Sequence, residues 1–71
     1  MSLTGYWISK GAIYGPNGPT GFYLVEEHPY GPSGYTQHWI SEGHLFGPDG
    51  YTGCWITEGM IHGPKERLPW T

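Results

Sequence analysis

Aromatic rings are the largest class among the side chains with chemistry to offer. The 71 residues include four Trp, six Tyr and two Phe, with four His, six carboxylates, three basic residues and one cysteine. Aromatic rings stack on sugars, pack in cores and anchor subunit interfaces. Imidazoles, carboxylates and thiols hold metals or move protons. Spacing decides which of these chemistries is open to the chain.

The imidazoles and carboxylates are poorly placed for catalysis. No two histidines have the close spacing of a zinc motif, so neither a metal nor any other cofactor is expected. Glu26, Glu42 and Glu58 recur at one loop position on successive hairpins. Strand spacing separates neighbours by roughly 10 Å. That overlaps the carboxylate separation of an inverting glycosidase, but no cleft is implied around them. Asp49 lies in a turn, and no nucleophile, base and orienting group come together. Cys54 reads as a small packing residue. The chain is expected to be non-enzymatic.

The rings, by contrast, follow a strict period. A unit of 16 residues starts at Gly5 and recurs at Gly21, Gln37 and Gly53 without a gap. Its third position is aromatic (Trp7, Tyr23, Trp39, Trp55) and its fourth aliphatic (Ile8, Leu24, Ile40, Ile56). Gly-Pro closes each second segment, at Gly15, Gly31, Gly47 and Gly63. The second copy departs most, with Glu27 for Gly and Pro29 for an aliphatic residue. We read one repeat domain over 1–71, with units 5–20, 21–36, 37–52 and 53–68 and a cap at 69–71. Terminal units are commonly atypical, and Trp70 is placed to cover an open end of the core.

Each unit reads as a β-hairpin. Segments such as Tyr6-Trp7-Ile8-Ser9 carry strand-type residues. Lys10-Gly11, Glu42-Gly43 and Glu58-Gly59 read as two-residue loops, with Gly supplying positive φ. Glu26-Glu27 must turn differently or carry strain. Gly47-Pro48-Asp49-Gly50 reads as a Pro-led turn between hairpins, which places Tyr35 and Tyr51 in exposed connections. The predicted fold is all-β, an antiparallel meander of about eight short strands. An open twisted sheet or hairpin array is preferred, because short strands close poorly; a small closed barrel is the alternative.

Two-residue loops set the cross-strand pairs, and strand alternation sorts them by face. One face carries Ile8/Ile13, Leu24/Pro29, Ile40/Leu45 and Ile56/Ile61. The other carries Trp7/Tyr14, Tyr23/Tyr30, Trp39/Phe46 and Trp55/His62. His28 and His44 share a repeat position, His38 points to the opposite face, and His62 fills an aromatic slot. The aromatic face is the candidate ligand platform or interface.

In style the unit resembles two classes of Gly- and aromatic-rich hairpin repeat. Gly5-Tyr6-Trp7-Ile8 and Gly53-Cys54-Trp55-Ile56 approximate the Gly-Trp start of the choline- and glucan-binding repeats of bacterial surface proteins. The open hairpin arrays of MORN repeats, which act as lipid-proximal or scaffolding modules, are similar in composition. Both classes use longer units, and Gly-Pro-x-Gly belongs to neither. No residue role is carried over from them.

Bulk composition narrows the function classes. Gly and Pro total 20 residues, while Leu, Ile, Val and Phe total only 12. That balance approaches disordered sequences, but a net charge of −3 and the many rings oppose disorder. A single cysteine forbids an intramolecular disulfide. So small a chain has a marginal core. A sheet with apolar groups on both faces is therefore expected to form a homo-oligomer. With Lys10, Lys65 and Arg67 as its only basic residues, the chain is not expected to bind duplex nucleic acid. No apolar run reaches a membrane span. Met1-Ser2-Leu3-Thr4 lacks the features of a signal peptide, so a cytoplasmic location is expected. The expected function is that of a small self-associating structural or scaffold protein; the alternative is a carbohydrate-binding module using the aromatic face.

Overall fold

The computed structural model describes residues 3–71. Met1 and Ser2, half of the segment read for a targeting signal, lie outside the described residues. Nine strands occur among the described residues: β1 (Leu3–Ser9), β2 (Ala12–Gly15), β3 (Gly18–Val25), β4 (His28–Gly31), β5 (Gly34–Tyr35), β6 (Trp39–Ser41), β7 (His44–Gly47), β8 (Gly50–Thr57) and β9 (Met60–His62). A single 3-10 turn, Lys65–Arg67, follows. None of the described residues forms a helix long and apolar enough to cross a membrane.

All strands join one antiparallel sheet in the order β5-β4-β3-β2-β1-β9-β8-β7-β6. The chain is a meander, but its first and last strands pair in the middle of the sheet. The two edges, β5 and β6, are consecutive in sequence. A flat sheet of this size would span roughly 40 Å. The molecule measures only 27 × 25 × 20 Å, because the sheet curls strongly into a half-barrel. Its edges approach closely enough for the Ile40 N–H to donate to the Glu27 carbonyl at 2.9 Å.

That bond is one of four equivalents. Ile8 donates to Gly59 at 2.7 Å, Leu24 to Gly11 at 2.6 Å and Ile56 to Gly43 at 2.7 Å. Each links the fourth position of one unit to the seventh of the unit before it, and unit 1 follows unit 4 around the molecule. The N-terminal segment also completes unit 4. Thr20, Thr36 and Thr52 close their units by donating a hydroxyl hydrogen bond to Ile13, Pro29 and Leu45, each at 2.8 Å. Unit 4 has Leu68 at that position, and Thr4 takes its place, donating to Ile61 at 2.8 Å.

The same threonines explain the curl. Each hydroxyl also accepts the N–H two residues on, at 3.1–3.3 Å. The residue between has positive φ: 90° at Gly5, 88° at Gly21 and Gly53, and 72° at Gln37. The pairing register slips beside these residues, as at a β-bulge, and a bulge bends a strand and increases its twist. The long strands β1, β3 and β8 therefore run through the Thr-Gly step. The sheet curls more tightly than short strands allow, because alternate strands are longer than the sequence reading expects. At Gln37 the φ value must be reached without glycine, and the long strand is interrupted there into β5 and β6. Nine strands result, rather than eight.

The hairpin registers agree with the two-residue loops. Ile8 faces Ile13, Leu24 faces Pro29, Ile40 faces Leu45 and Ile56 faces Ile61. Glu26-Glu27 turns as the others do, with φ of 52° and 71°, so the second copy carries strain rather than a different turn. Curling brings the aliphatic face onto itself. Ile13, Pro29, Leu45, Ile61 and Cys54 are fully buried, with Tyr6, Ile8, Phe22, Leu24, Ile40, Ile56 and Trp70 around them. The aliphatic face is thus covered within one chain. Glycine in Gly-Pro serves packing as well as turning. A Cβ at Gly15 would stand 2.5 Å from the Tyr6 ring, and one at Gly47 would stand 2.8 Å from His38.

Two outcomes follow. Thr52→Val keeps the shape but removes two buried hydrogen bonds, and should lower unfolding free energy by about 1–3 kcal/mol in urea titrations. Glu27→Gly relieves a left-handed non-glycine residue and should raise it by about 0.5–1 kcal/mol in the same assay.

Candidate functional site

With the aliphatic residues inside, the eight predicted aromatic-face residues all lie on the outer face, in four cross-strand pairs. Trp7 stacks on Tyr14 with ring centroids 5.9 Å apart and an interplanar angle of 11°. Tyr23 stacks on Tyr30 at 5.9 Å and 13°. Trp39 stacks on Phe46 at 5.7 Å and 9°. Trp55 stacks on His62 at 5.4 Å and 7°. Such offset stacks contribute about 0.5–1.5 kcal/mol beyond burial, and they hold the rings in place without a partner molecule. Trp7 and Trp39 nonetheless remain 39% exposed and Tyr23 45%.

Units 2 and 3 extend their pairs into larger clusters. Tyr35 lies 5.2 Å from Tyr30, and Tyr51 lies 5.3 Å from Phe46. His28 meets Tyr35 edge-on at 5.7 Å and 64°, and His44 meets Tyr51 at 5.5 Å and 70°. The two clusters, Tyr23/Tyr30/Tyr35/His28 and Trp39/Phe46/Tyr51/His44, are near-copies. Tyr35 and Tyr51 belong to strands β5 and β8 rather than to loop tips. The bulge at the Thr step hides their alternation, so a sequence reading assigns them to connections. Their shared place two residues before the starts of units 3 and 4 is the signal that marks them.

The histidines in these clusters have a defined chemistry. The Nδ1 of His28 lies 2.8 Å from the Glu26 carbonyl, and that of His44 lies 3.1 Å from the Glu42 carbonyl. A carbonyl only accepts, so each neutral imidazole carries its proton on Nδ1. Nε2 is then an exposed acceptor, suited to a hydroxyl donor. Exposed ring faces beside tyrosine hydroxyls and imidazole acceptors can take a ligand that is apolar on its faces and hydroxylated at its rim.

Units 4 and 1 differ. Tyr14 faces Pro19 rather than a third ring, and Ala12 stands where the clusters have histidine. Unit 4 places Leu3 opposite His62 and Met60 opposite Trp7. Leu3 is 59% exposed. This side of the belt is apolar rather than hydrogen-bonding.

The remaining candidates lie apart. His38 points to the inner side, where its half-buried ring covers Gly47. Among the described residues no three His, Cys, Asp or Glu side chains gather as a metal site requires. Cys54 is buried, and burial pushes its thiol above the ordinary range despite the opposing Thr52 hydrogen bond. Its Sγ donates to the Pro64 carbonyl at 3.4 Å, so it packs as a neutral thiol. Glu26, Glu27, Glu42 and Glu58 are exposed in the hairpin turns at one end, with Lys10 as the cation there. Asp49, Lys65, Glu66 and Arg67 lie at the other end, two of each sign. The net negative charge therefore resides in the turns.

Removing the lower ring of a stack should be felt by the fold. Tyr30→Ala is expected to lower unfolding free energy by about 1–3 kcal/mol, read by thermal and urea unfolding. Comparison with protein-family models, curated proteins and solved structures finds no match for this chain.

Proposed function

We propose that this protein is a non-enzymatic carbohydrate-binding module whose sites are the two complete aromatic clusters of units 2 and 3. The observation that carries the reading is the duplication of one arrangement: a stacked pair, a tilted tyrosine and an edge-on histidine with a free acceptor nitrogen. Packing alone calls for no exposed acceptor beside the rings. Pyranose rings present C–H faces to an aromatic plane and hydroxyls to its edge. Tyr23 and Trp39 supply the planes; His28, His44 and the tyrosine hydroxyls supply the edge. Two shallow sites on one small body gain affinity for a repeating polymer by effective concentration. The negative turns favour neutral over acidic glycans. No catalytic step belongs to this reading.

A second reading, self-association as a structural or scaffold protein, is favoured by the apolar side of the belt. Leu3, Trp7 and Met60 are exposed together there. That surface is separate from the two clusters, so the readings are tested separately.

The deciding experiment is a titration with neutral and acidic oligosaccharides, followed by NMR of the aromatic side chains. Shifts at Tyr23, Tyr35, Trp39 and Tyr51 with a neutral glucan are expected. Trp39→Ala should weaken binding about tenfold while leaving the sheet folded. Absence of shifts with every sugar, together with a dimer in light scattering that Trp7→Ala disperses, would replace this reading by the second.

A further inference from the structure

The N-terminal segment has a consequence for the C-terminal one. Because Leu3 and Thr4 occupy the closing positions of unit 4, residues 65–71 are displaced from the sheet. They form a compact knot over one end of the half-barrel. Arg67 donates to Pro64 at 3.1 Å, Leu68 to Lys65 at 3.2 Å, and Thr71 to Leu68 at 3.3 Å. The Thr71 hydroxyl shares its single proton between the Lys65 and Leu68 carbonyls, at 2.8 and 3.1 Å. All but the Arg67–Pro64 bond lie within residues 65–71. Among the described residues, the hydrogen bond that ties it to the sheet comes from the Cys54 thiol, and it reaches only Pro64, at the segment's base.

What seats the knot is two side chains. Leu68 is 3% exposed within the core. Trp70 lies on the inner rings of units 1 and 2, 6.1 Å from Tyr6 and 5.8 Å from Phe22. The fit is incomplete. The Trp70 Nε1 is buried and, among the described residues, has no acceptor. Depressions open on several sides of the knot, one of about 410 Å³ between Tyr6, Lys65, Glu66 and Thr71 and another between His38, Asp49, Glu66 and Arg67. A buried donor without an acceptor is a standing cost to the closed state.

We propose that this end of the half-barrel is a ligand pocket whose resident occupant is the indole of Trp70, and that it takes a flat bicyclic aromatic molecule lacking a hydrogen-bond donor in its place. Tyr6 and Phe22 are the walls. A donor-free ring gains the same aromatic contacts without burying an unpaired N–H. Movement of the knot about Gly63-Pro64 withdraws Leu68 together with Trp70 and keeps the bonds among Lys65, Leu68 and Thr71. This pocket is independent of the outer clusters.

The test titrates the full chain with naphthalene, indole being the donor-bearing control, and follows side-chain NMR signals. Naphthalene is expected to shift the Trp70 Nε1–H signal saturably and to remove the contacts of Trp70 with Tyr6 and Phe22. Trp70→Ala, which vacates the seat, should bind naphthalene about tenfold or more tighter than the parent, and tighter than it binds indole. Shifts confined to Trp7, Trp39 and Trp55, or equal affinity of parent and variant, would overturn the pocket. Equal or stronger binding of indole would overturn the ligand class. The measurements on the parent chain stand whether or not the variant folds.

Discussion

The hydroxyl of Thr4 donates to the carbonyl of Ile61 at 2.8 Å, across the whole length of the sequence. Around it, β1 pairs with β9, and the N–H of Ile8 reaches Gly59. Without this closure the meander would be an open strip with apolar groups on both faces. With it, unit 4 becomes a neighbour of unit 1, and the sheet has to curl. The curl turns a thin aliphatic face into a core. A chain of this size buries a modest share of its surface, so a geometry that makes one face cover itself matters more than any single contact. The aromatic face is left outside as a consequence.

The closure also distributes strain unevenly. Three of the four junctions between units are bulged but continuous ladders, and the fourth is interrupted: β4 pairs with the short β5, Thr36 donates to Pro29 at 3.1 Å, and Ile40 of β6 donates to Glu27 at 2.9 Å. Pro29 has no N–H to give where Ile13, Leu45 and Ile61 have one. Glu27 and Gln37, the residues with positive φ where the other units have glycine, border the same junction. The sequence irregularities of the second unit and the start of the third therefore coincide with the weakest part of the sheet. The two complete aromatic clusters flank it.

Much of this was legible in the residues. The period, the paired faces and all four hairpin registers follow from Gly-containing loops and alternation, and Trp70 packs against the core. The Thr-Gly bulge was hidden, because Gly-Tyr-Thr-Gly reads as a connection when its threonine is not known to bridge two backbone groups. That masked the long strands, and with them Tyr35 and Tyr51. Closure was hidden for another reason. Leu3-Thr4 resembles nothing in the degraded end of unit 4; it matches Pro19-Thr20, Tyr35-Thr36 and Tyr51-Thr52 at the ends of the other units, and only the pairing of β1 with β9 makes that match meaningful. Glycine before proline reads as a turn residue in the sequence, whereas the rings of Tyr6 and His38 lying over Gly15 and Gly47 require it too.

The most direct test of closure is hydrogen exchange at the four equivalent amides of Ile8, Leu24, Ile40 and Ile56. Pairing of β1 with β9 requires Ile8 to be protected as strongly as Leu24 and Ile56, with Ile40 protected least. Exchange of Ile8 at the rate of an unfolded chain, while Leu24 and Ile56 stay protected, would show that the first and last strands are unpaired and would contradict it.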